Sequence, residues 1–180
     1  GDKDGSVKWT HADGRAINTV YGLTFGDETA LVDMVFTCPP YGDLELYTDN
    51  PLDLSRMSYR DFIIKLVEIL FNAWVSLKDN RFMVVVVSDF RDKKTGLYRG
   101  FPSELTYRLK TFNIPLYNEF ILVNSEGTLP FRITKQFSQH RKAGKMHQNV
   151  LVFLKGDPRK FHGEFQPLVD DNPADRTEWI

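Results

Sequence analysis

The sequence has little cysteine, no excess of one charge sign and no long apolar run. A single cysteine among 180 residues excludes an internal disulfide framework. No apolar stretch approaches the roughly 20 residues needed to cross a bilayer, and no secretory leader is recognisable. With 23 basic and 24 acidic residues, no global field predicts a polyanion partner. These absences favour a reducing, cytoplasmic setting with no membrane partner, and they require any nucleic-acid site to be a local patch.

The hydrophobic content of 42% suits one domain with a sizeable core. Residues 32–37 (VDMVFT) have the composition of a buried strand. Ser58 and Asp61 have the spacing of a capping box, and apolar residues then recur every three or four positions, which predicts a helix. The run at 81–87 (RFMVVVV), which ends in four β-branched valines, is typical of a central strand covered on both faces.

The second half of the chain predicts a helix at 102–112 and strands at 117–124 and 148–156. No crossover helix is evident between the last two strands, so we expect them to be antiparallel neighbours. The whole order predicts a mostly parallel α/β sheet with helices on its faces. Residues 1–157 form the predicted domain, and residues 158–180, rich in Pro and Asp, are predicted to be a loosely ordered tail.

The predicted strand at 32–37 runs directly into Cys38, Pro39, Pro40 and Tyr41. Prolines often end strands, so a purely structural turn is one explanation. In open α/β sheets, however, ligands bind beyond the carboxyl ends of the strands. The order of an apolar strand, a small polar residue, two rigid prolines and an aromatic ring therefore indicates a candidate site.

Five blocks of sequence carry a family resemblance: FTCPPYGDLELY, DLSRMSY, VSDFRDKKTGLYRGF, LYNEFILVN and QHRKAGKMHQNVLVFLKGDP. In this order they resemble the amino-group DNA methyltransferases, and more closely the DNA methylases of phages and prophages. The resemblance extends over residues 7–157. It implies a Rossmann-like sheet that uses S-adenosylmethionine to methylate the exocyclic amino group of adenine or cytosine in DNA.

The resemblance also implies roles for the four motif residues. The side chain of Cys38 and the carbonyl of Pro39 would accept hydrogen bonds from the amino group and restore its lone pair. Pro40 would help to keep the backbone rigid, and Tyr41 would stack on a flipped base. The family usually has Asp, Asn or Ser in place of Cys38, and a thiol is a weaker acceptor. Because Cys38 resembles Ser in size, the resemblance slightly favours the N4 nitrogen of cytosine as the target. A covalent role for Cys38, as in cytosine-C5 methylation, would need a Pro-Cys order that is absent.

The family's glycine-rich cofactor turn is missing. The nearest candidate, YGLTFG at 21–26, follows no predicted strand. Asp13 falls where the family's adenine-contacting acid would lie and is the one cofactor-binding candidate. The resemblance thus implies a sheet without its first strands and glycine-rich loop, which an upstream segment or a partner chain would complete.

Two segments supply candidate contacts to DNA phosphates. No acidic residue occurs at 127–156, and the loop at 88–101 mixes basic and aromatic residues. Solvated surface loops remain the alternative for both. No metal site is predicted, since His147 lacks a second ligand at suitable spacing. The candidate nucleic-acid-binding residues are Arg91, Lys93, Lys94, Arg99, Arg132, Lys135, Arg141, Lys142 and Lys145.

The function predicted from the resemblance is DNA amino-group methylation, in a host cytoplasm if the chain is phage-encoded. Two alternatives stay open. The chain could be a catalytically inactive module that binds DNA through its basic segment, or an enzyme that methylates RNA or protein with the same Pro-Pro-Tyr geometry.

Overall fold

The computed structural model describes residues 7, 9–17, 31–44, 46–125, 129–160 and 165, with the side chains of 129–132 excepted. Its strands are β1 (Val32–Thr37), β2 (Leu77–Val87), β3 (Leu116–Val123) and β4 (His147–Lys155). Its helices are α1 (Tyr59–Val75), α2 (Phe101–Thr111) and α3 (Leu129–His140), with short 3-10 turns at Gly14–Ala16 and Leu54–Arg56.

The four strands form one sheet in the order β1-β2-β4-β3. β1 and β2 are parallel, while β4 is antiparallel to both β2 and β3. The last two strands are therefore antiparallel neighbours, as the sequence predicted. The prediction of a mostly parallel sheet is wrong, because β4 runs antiparallel between β2 and β3 and only the β1–β2 pairing among the described strands is parallel. In the described part of the chain, β1 is an edge strand that pairs only with β2.

Helix α1 begins where the capping box predicted. The Ser58 hydroxyl accepts a hydrogen bond from the Asp61 backbone N–H at 3.2 Å and lies 2.6 Å from the Asp61 carboxylate. This satisfies one of the free N–H groups of the first turn. The apolar face of α1 is buried, and Phe62 and Ile63 have no exposed surface.

Strand β2 is central, as its β-branched run predicted. Met83, Val85 and Val87 are fully buried on the face that packs against α1 and α2, and Val86 on the other face is 4% exposed. The strand begins at Leu77, earlier than the predicted residue 81. Residues 77–80 are polar apart from Leu77, so propensity gave no sign that the ladder extends over them.

Helix α3 was not predicted. It lies in the connection between β3 and β4, where we expected no helix. The segment is mostly polar and basic, so it contains only a weak helical pattern. Ile133 and Phe137 are four residues apart, the spacing of neighbours on one side of a helix.

The two faces of the sheet differ in how they are covered. Helices α1 and α2 cover one face and share its core. On the other face, Met34 and Phe36 of β1 are each 59% exposed, and they align with Phe82 and Val84 of β2. Phe165, from the predicted tail, packs on Phe82 with ring centroids 5.8 Å apart. The apolar flank of β1 is thus formed by Met34 and Phe36.

Near the amino terminus, residues 9–13 have irregular backbone and lead into the 3-10 turn Gly14–Ala16. Residues 18–30 lie outside the described part, and so does most of the predicted tail. No helix among the described residues is long and apolar enough to span a membrane.

Candidate functional site

The candidate site lies where three strand ends meet. Because β1 and β2 are parallel, their carboxyl ends lie at the same end of the sheet, and the antiparallel strand β4 begins at that end. The Ser88 hydroxyl donates to the His147 carbonyl at 3.3 Å and ties the end of β2 to the start of β4. This end of the sheet, which we call the motif rim, carries the Cys-Pro-Pro-Tyr motif.

The motif forms a turn that rests on buried aromatic rings. Cys38 is exposed, Pro39 is buried, and the Leu44 N–H donates to the Tyr41 carbonyl at 3.3 Å. Gly42 has φ +56°, and a Cβ at this position would lie 3.0 Å from Cζ of Phe90. Phe90 itself packs edge-on against Phe101. The backbone of the motif therefore lies directly on the core.

Tyr41 is partly buried and packs against the core. Its hydroxyl accepts a hydrogen bond from Nε2 of Gln148 at 2.6 Å. Gln148 stands at the start of β4. Sequence reasoning did not identify this partner, because nothing in the local sequence reveals a pair 107 residues apart.

Asp89 is a second residue that sequence reasoning missed. Its carboxylate accepts hydrogen bonds from the N–H groups of Gly100 at 3.2 Å and Phe101 at 3.1 Å. It therefore caps the start of α2 from across the loop at 88–101. An acidic residue two positions after a buried strand was the available signal.

The loop at 88–101 contains a small hairpin, residues 91–98, which we call the rim hairpin. Arg91 and Tyr98 form an antiparallel bridge, and the Arg91 guanidinium lies 3.9 Å from the centroid of the Tyr98 ring. Backbone N–H groups of Thr95 and Lys94 donate to the Asp92 carboxylate, and these bonds lower the pKa of Asp92. The rim hairpin is therefore held in one conformation by a backbone bridge, a cation–π contact and the hydrogen bonds to Asp92.

The predicted DNA-binding cations of this loop do not all face solvent. Lys93 Nζ lies 3.1 Å from the Asp43 carboxylate, which joins the hairpin to the motif turn. Arg99 pairs with Asp92 at 2.6 Å and stacks over Tyr59. Lys94 is exposed, as Lys93 is, but Lys94 forms no ion pair among the described residues. Arg91, Lys93 and Arg99 thus hold the hairpin in place, and Lys94 is the cation best placed for an external phosphate.

The second basic segment converges on the same hairpin. Nζ of Lys142 lies beside Gly96, 3.4 Å from where a Cβ would stand. A cleft of about 530 Å³ lies beside this hairpin. It is lined by Asp89, Tyr98, Gly144, Lys145, Met146 and His147. Burial lowers the pKa of Lys145, and the neighbouring Asp89 partly opposes that shift.

The remaining predicted contacts lie on or beside α3. Lys135 is exposed, and Arg141 stands over the Phe137 ring at 5.5 Å. The side chain of Arg132 lies outside the described part. The structure therefore joins Lys142 and Lys145 to the rim hairpin, while Lys135 and Arg141 belong to the surface of the connecting helix.

Asp13 has a different setting. It caps the 3-10 turn and binds the Arg15 guanidinium, and these hydrogen bonds lower its pKa to about 2. The segment packs on the outer side of α1, where the Asn72 side chain donates to the Arg15 carbonyl at 3.1 Å. No contact recorded between described residues joins Asp13 to the motif. Its predicted role with the cofactor stays a prediction.

No group of three or more His, Cys, Asp or Glu side chains able to hold a metal occurs among the described residues. The chemistry available at the rim is that of hydrogen-bond acceptors, an anchored aromatic ring and nearby cations.

Comparison with solved structures places the fold. The Thermus thermophilus protein TTHA0409, a candidate DNA modification methylase solved with S-adenosyl-L-methionine, superposes with a TM-score of 0.55 at 16% identity, over 87% of this chain and 61% of that one. The cytosine-N4-specific PvuII DNA methyltransferase superposes with a TM-score of 0.54 at 16% identity, over 76% and 49%. The M1.HpyAVI–SAM complex gives a TM-score of 0.50 at 17% identity, over 82% and 52%.

No protein-family model matches the chain, and no curated protein sequence matches it. The structural likeness shows that this chain has the Rossmann-like α/β fold of these methyltransferase structures. The chain spans 58% of the length of another TTHA0409 structure and about half of the other two proteins. It therefore corresponds to part of their fold.

Proposed function

We propose that this chain is the catalytic part of a DNA methyltransferase that methylates the exocyclic amino group of adenine or cytosine. The observation that carries the proposal is the Cys-Pro-Pro-Tyr turn at the carboxyl end of β1, with the Tyr41 hydroxyl anchored to Gln148 at the start of β4. S-adenosylmethionine is the proposed methyl donor, which the neighbouring structures solved with that compound support.

In the proposed reaction the amino nitrogen of the flipped base attacks the methyl carbon of the donor. A nitrogen–carbon bond forms, the carbon–sulfur bond breaks, and the amino proton leaves to solvent or to a base. The Pro39 carbonyl and the Cys38 thiol accept hydrogen bonds from the amino group and so direct its lone pair at the methyl carbon. Since a thiol accepts weakly, Pro39 carries most of this effect.

The described residues do not by themselves complete a binding site for the methyl donor. Asp13, the predicted cofactor contact, has its carboxylate bound to Arg15, and the sequence has no glycine-rich turn. β1 pairs on one side only within the described part, and its apolar Met34 and Phe36 are largely exposed. We propose that an upstream segment or a partner chain pairs along this edge and supplies the donor side.

DNA is the proposed substrate polymer. Lys94 and Lys142 lie at the rim hairpin beside the motif, where they can contact phosphates that flank a flipped base. Arg91, Lys93 and Arg99 support the hairpin rather than meeting DNA first.

The test combines calorimetric titration with S-adenosylmethionine and transfer of tritiated methyl groups to unmodified DNA. Tyr41→Ala is the control variant. Binding, with transfer that the variant loses, would support the proposed reaction. No response to the donor from this chain alone is expected if the donor side is supplied elsewhere. DNA binding with steep salt dependence and no response to the donor, once the upstream segment or partner chain is also present, would contradict the proposal and would favour an inactive DNA-binding module. Preferential transfer to single-stranded RNA would redirect the substrate assignment.

A further inference from the structure

The hydrogen bond between Gln148 and Tyr41 crosses the motif rim. β1 and β4 are not neighbours in the sheet, because β2 lies between them. The 2.6 Å bond therefore joins the turn after β1 to the start of β4 across the end of β2. Gln148 has a fixed backbone, since it is paired with Leu122 of β3. The partner of the Tyr41 hydroxyl is thus held in place by the sheet.

This arrangement fixes the Tyr41 ring from both ends. The Tyr41 side chain packs against the core, and its hydroxyl is held by the Gln148 amide. We propose that Gln148 is a positioning residue that holds the Tyr41 ring in its stacking orientation before a base arrives. The inference rests on the proposed function, in which Tyr41 stacks on the flipped base. A ring that is already ordered loses less freedom on binding.

The packing of β4 does not depend on the Gln148 side chain. The strand is anchored in the core by Leu151 and Phe153, which are 1% and 0% exposed, whereas Gln148 is only partly buried. Holding a long glutamine side chain in one conformation costs conformational entropy. Its bond to Tyr41 is the hydrogen bond that the structure gives for this side chain.

The first measurement examines the bond itself. The chain is labelled with ¹³Cζ-tyrosine, and the Tyr41 signal is assigned with Tyr41→Phe. Gln148→Leu, which keeps side-chain bulk but removes the donor, is expected to shift the Tyr41 signal. Gln136→Leu, an exposed glutamine of α3, is the matched control and should leave that signal unchanged. An unmoved Tyr41 signal in Gln148→Leu would overturn the inference.

The second measurement examines stacking with a mixed-sequence single-stranded oligonucleotide that carries 2-aminopurine, whose fluorescence is quenched by stacking. We expect Gln148→Leu and Tyr41→Phe each to weaken the binding that produces quenching about 3- to 10-fold. The double variant should be no weaker than either single variant, because both remove the same bond. Additive losses would show a separate structural role for Gln148 and would overturn the inference.

The two proposals fail in different ways. If Tyr41→Ala abolishes quenching while Gln148→Leu leaves it unchanged, the positioning role is refuted and the stacking role of Tyr41 stands. If quenching responds to both variants but no methyl group is transferred to DNA even with the upstream segment or partner chain present, the positioning role is supported and the proposed reaction is refuted. A wild-type chain that never quenches would refute the positioning role together with base stacking.

Discussion

Replacing Gly42 by alanine tests whether the motif turn is held by the core beneath it. Gly42 directly follows Tyr41 and has φ +56°, a region that residues with a Cβ rarely adopt. Its missing Cβ would stand 3.0 Å from Cζ of Phe90. The substitution therefore adds backbone strain and a steric conflict without removing a functional group.

The expected size of the effect is the sum of two contributions. The left-handed backbone costs a residue with a Cβ about 1–2 kcal/mol. Phe90 is 5% exposed and packs against Tyr59 and Phe101 at centroid distances of 6.0 Å and 5.6 Å, so its ring has little room to move. Overpacking of this kind costs typically about 1–3 kcal/mol. Gly42→Ala should therefore lower the free energy of unfolding by about 2–5 kcal/mol.

The matched control is Gly100→Ala. Gly100 has φ +69°, and a Cβ there would meet nothing within 4 Å. It carries the backbone contribution alone, so it should cost about 1–2 kcal/mol. Urea unfolding of both variants, compared at equal slope, isolates the contribution of Phe90. Gly42→Ala should also reduce the 2-aminopurine quenching that depends on Tyr41, while Gly100→Ala should leave it unchanged.

Equal unfolding free energies for the two variants would refute this reasoning. The motif turn would then not be held against Phe90, and the orientation of Tyr41 would have to come from other contacts.

Three further predictions concern the rim and the core. Lys94→Ala and Lys142→Ala should each reduce the slope of log affinity for DNA against log salt by about 0.7–0.9, as expected for the loss of one phosphate contact. Because burial lowers the pKa of Lys145, its charge is lost at a lower pH than that of an exposed lysine, so DNA affinity in alkaline solution should fall earlier in the wild type than in Lys145→Arg. Phe153→Ala, at a fully buried position of β4, should lower the free energy of unfolding by about 3–5 kcal/mol in urea titration.

Each of these predictions has a control variant or an outcome that would contradict it. Lys65→Ala, on α1 and paired with Glu68, should leave the salt slope unchanged. Parallel pH profiles of the wild type and Lys145→Arg would contradict the assignment of Lys145 to the interface. Phe120→Ala, at a position 58% exposed on β3, should cost much less than Phe153→Ala, and equal losses would contradict the described core.

The elements with strong local signals were predicted well. The strand at 32–37 matches β1 in its bounds, but its predicted burial is wrong, because β1 is an edge strand in the described part and its residues are exposed or only partly buried. The Ser58 cap starts α1 at the predicted place. The helix predicted at 102–112 is observed one residue earlier, as α2 at Phe101–Thr111. These signals are local because capping and side-chain periodicity involve residues within one or two turns. Helix α3 was missed since its composition resembles that of a solvated loop.

For the candidate site, the sequence determined which residue types follow β1, namely a weak acceptor, two rigid prolines and an aromatic ring. It also determined that two basic segments exist. Only the tertiary structure decided that Lys142 and the rim hairpin lie together, and that Arg99 is bound internally to Asp92. The bond from Gln148 to Tyr41 was likewise decided by the strand order, which brings the start of β4 to the end of β1. Contacts between distant segments depend on which strands pair, and no local pattern of residues encodes that pairing.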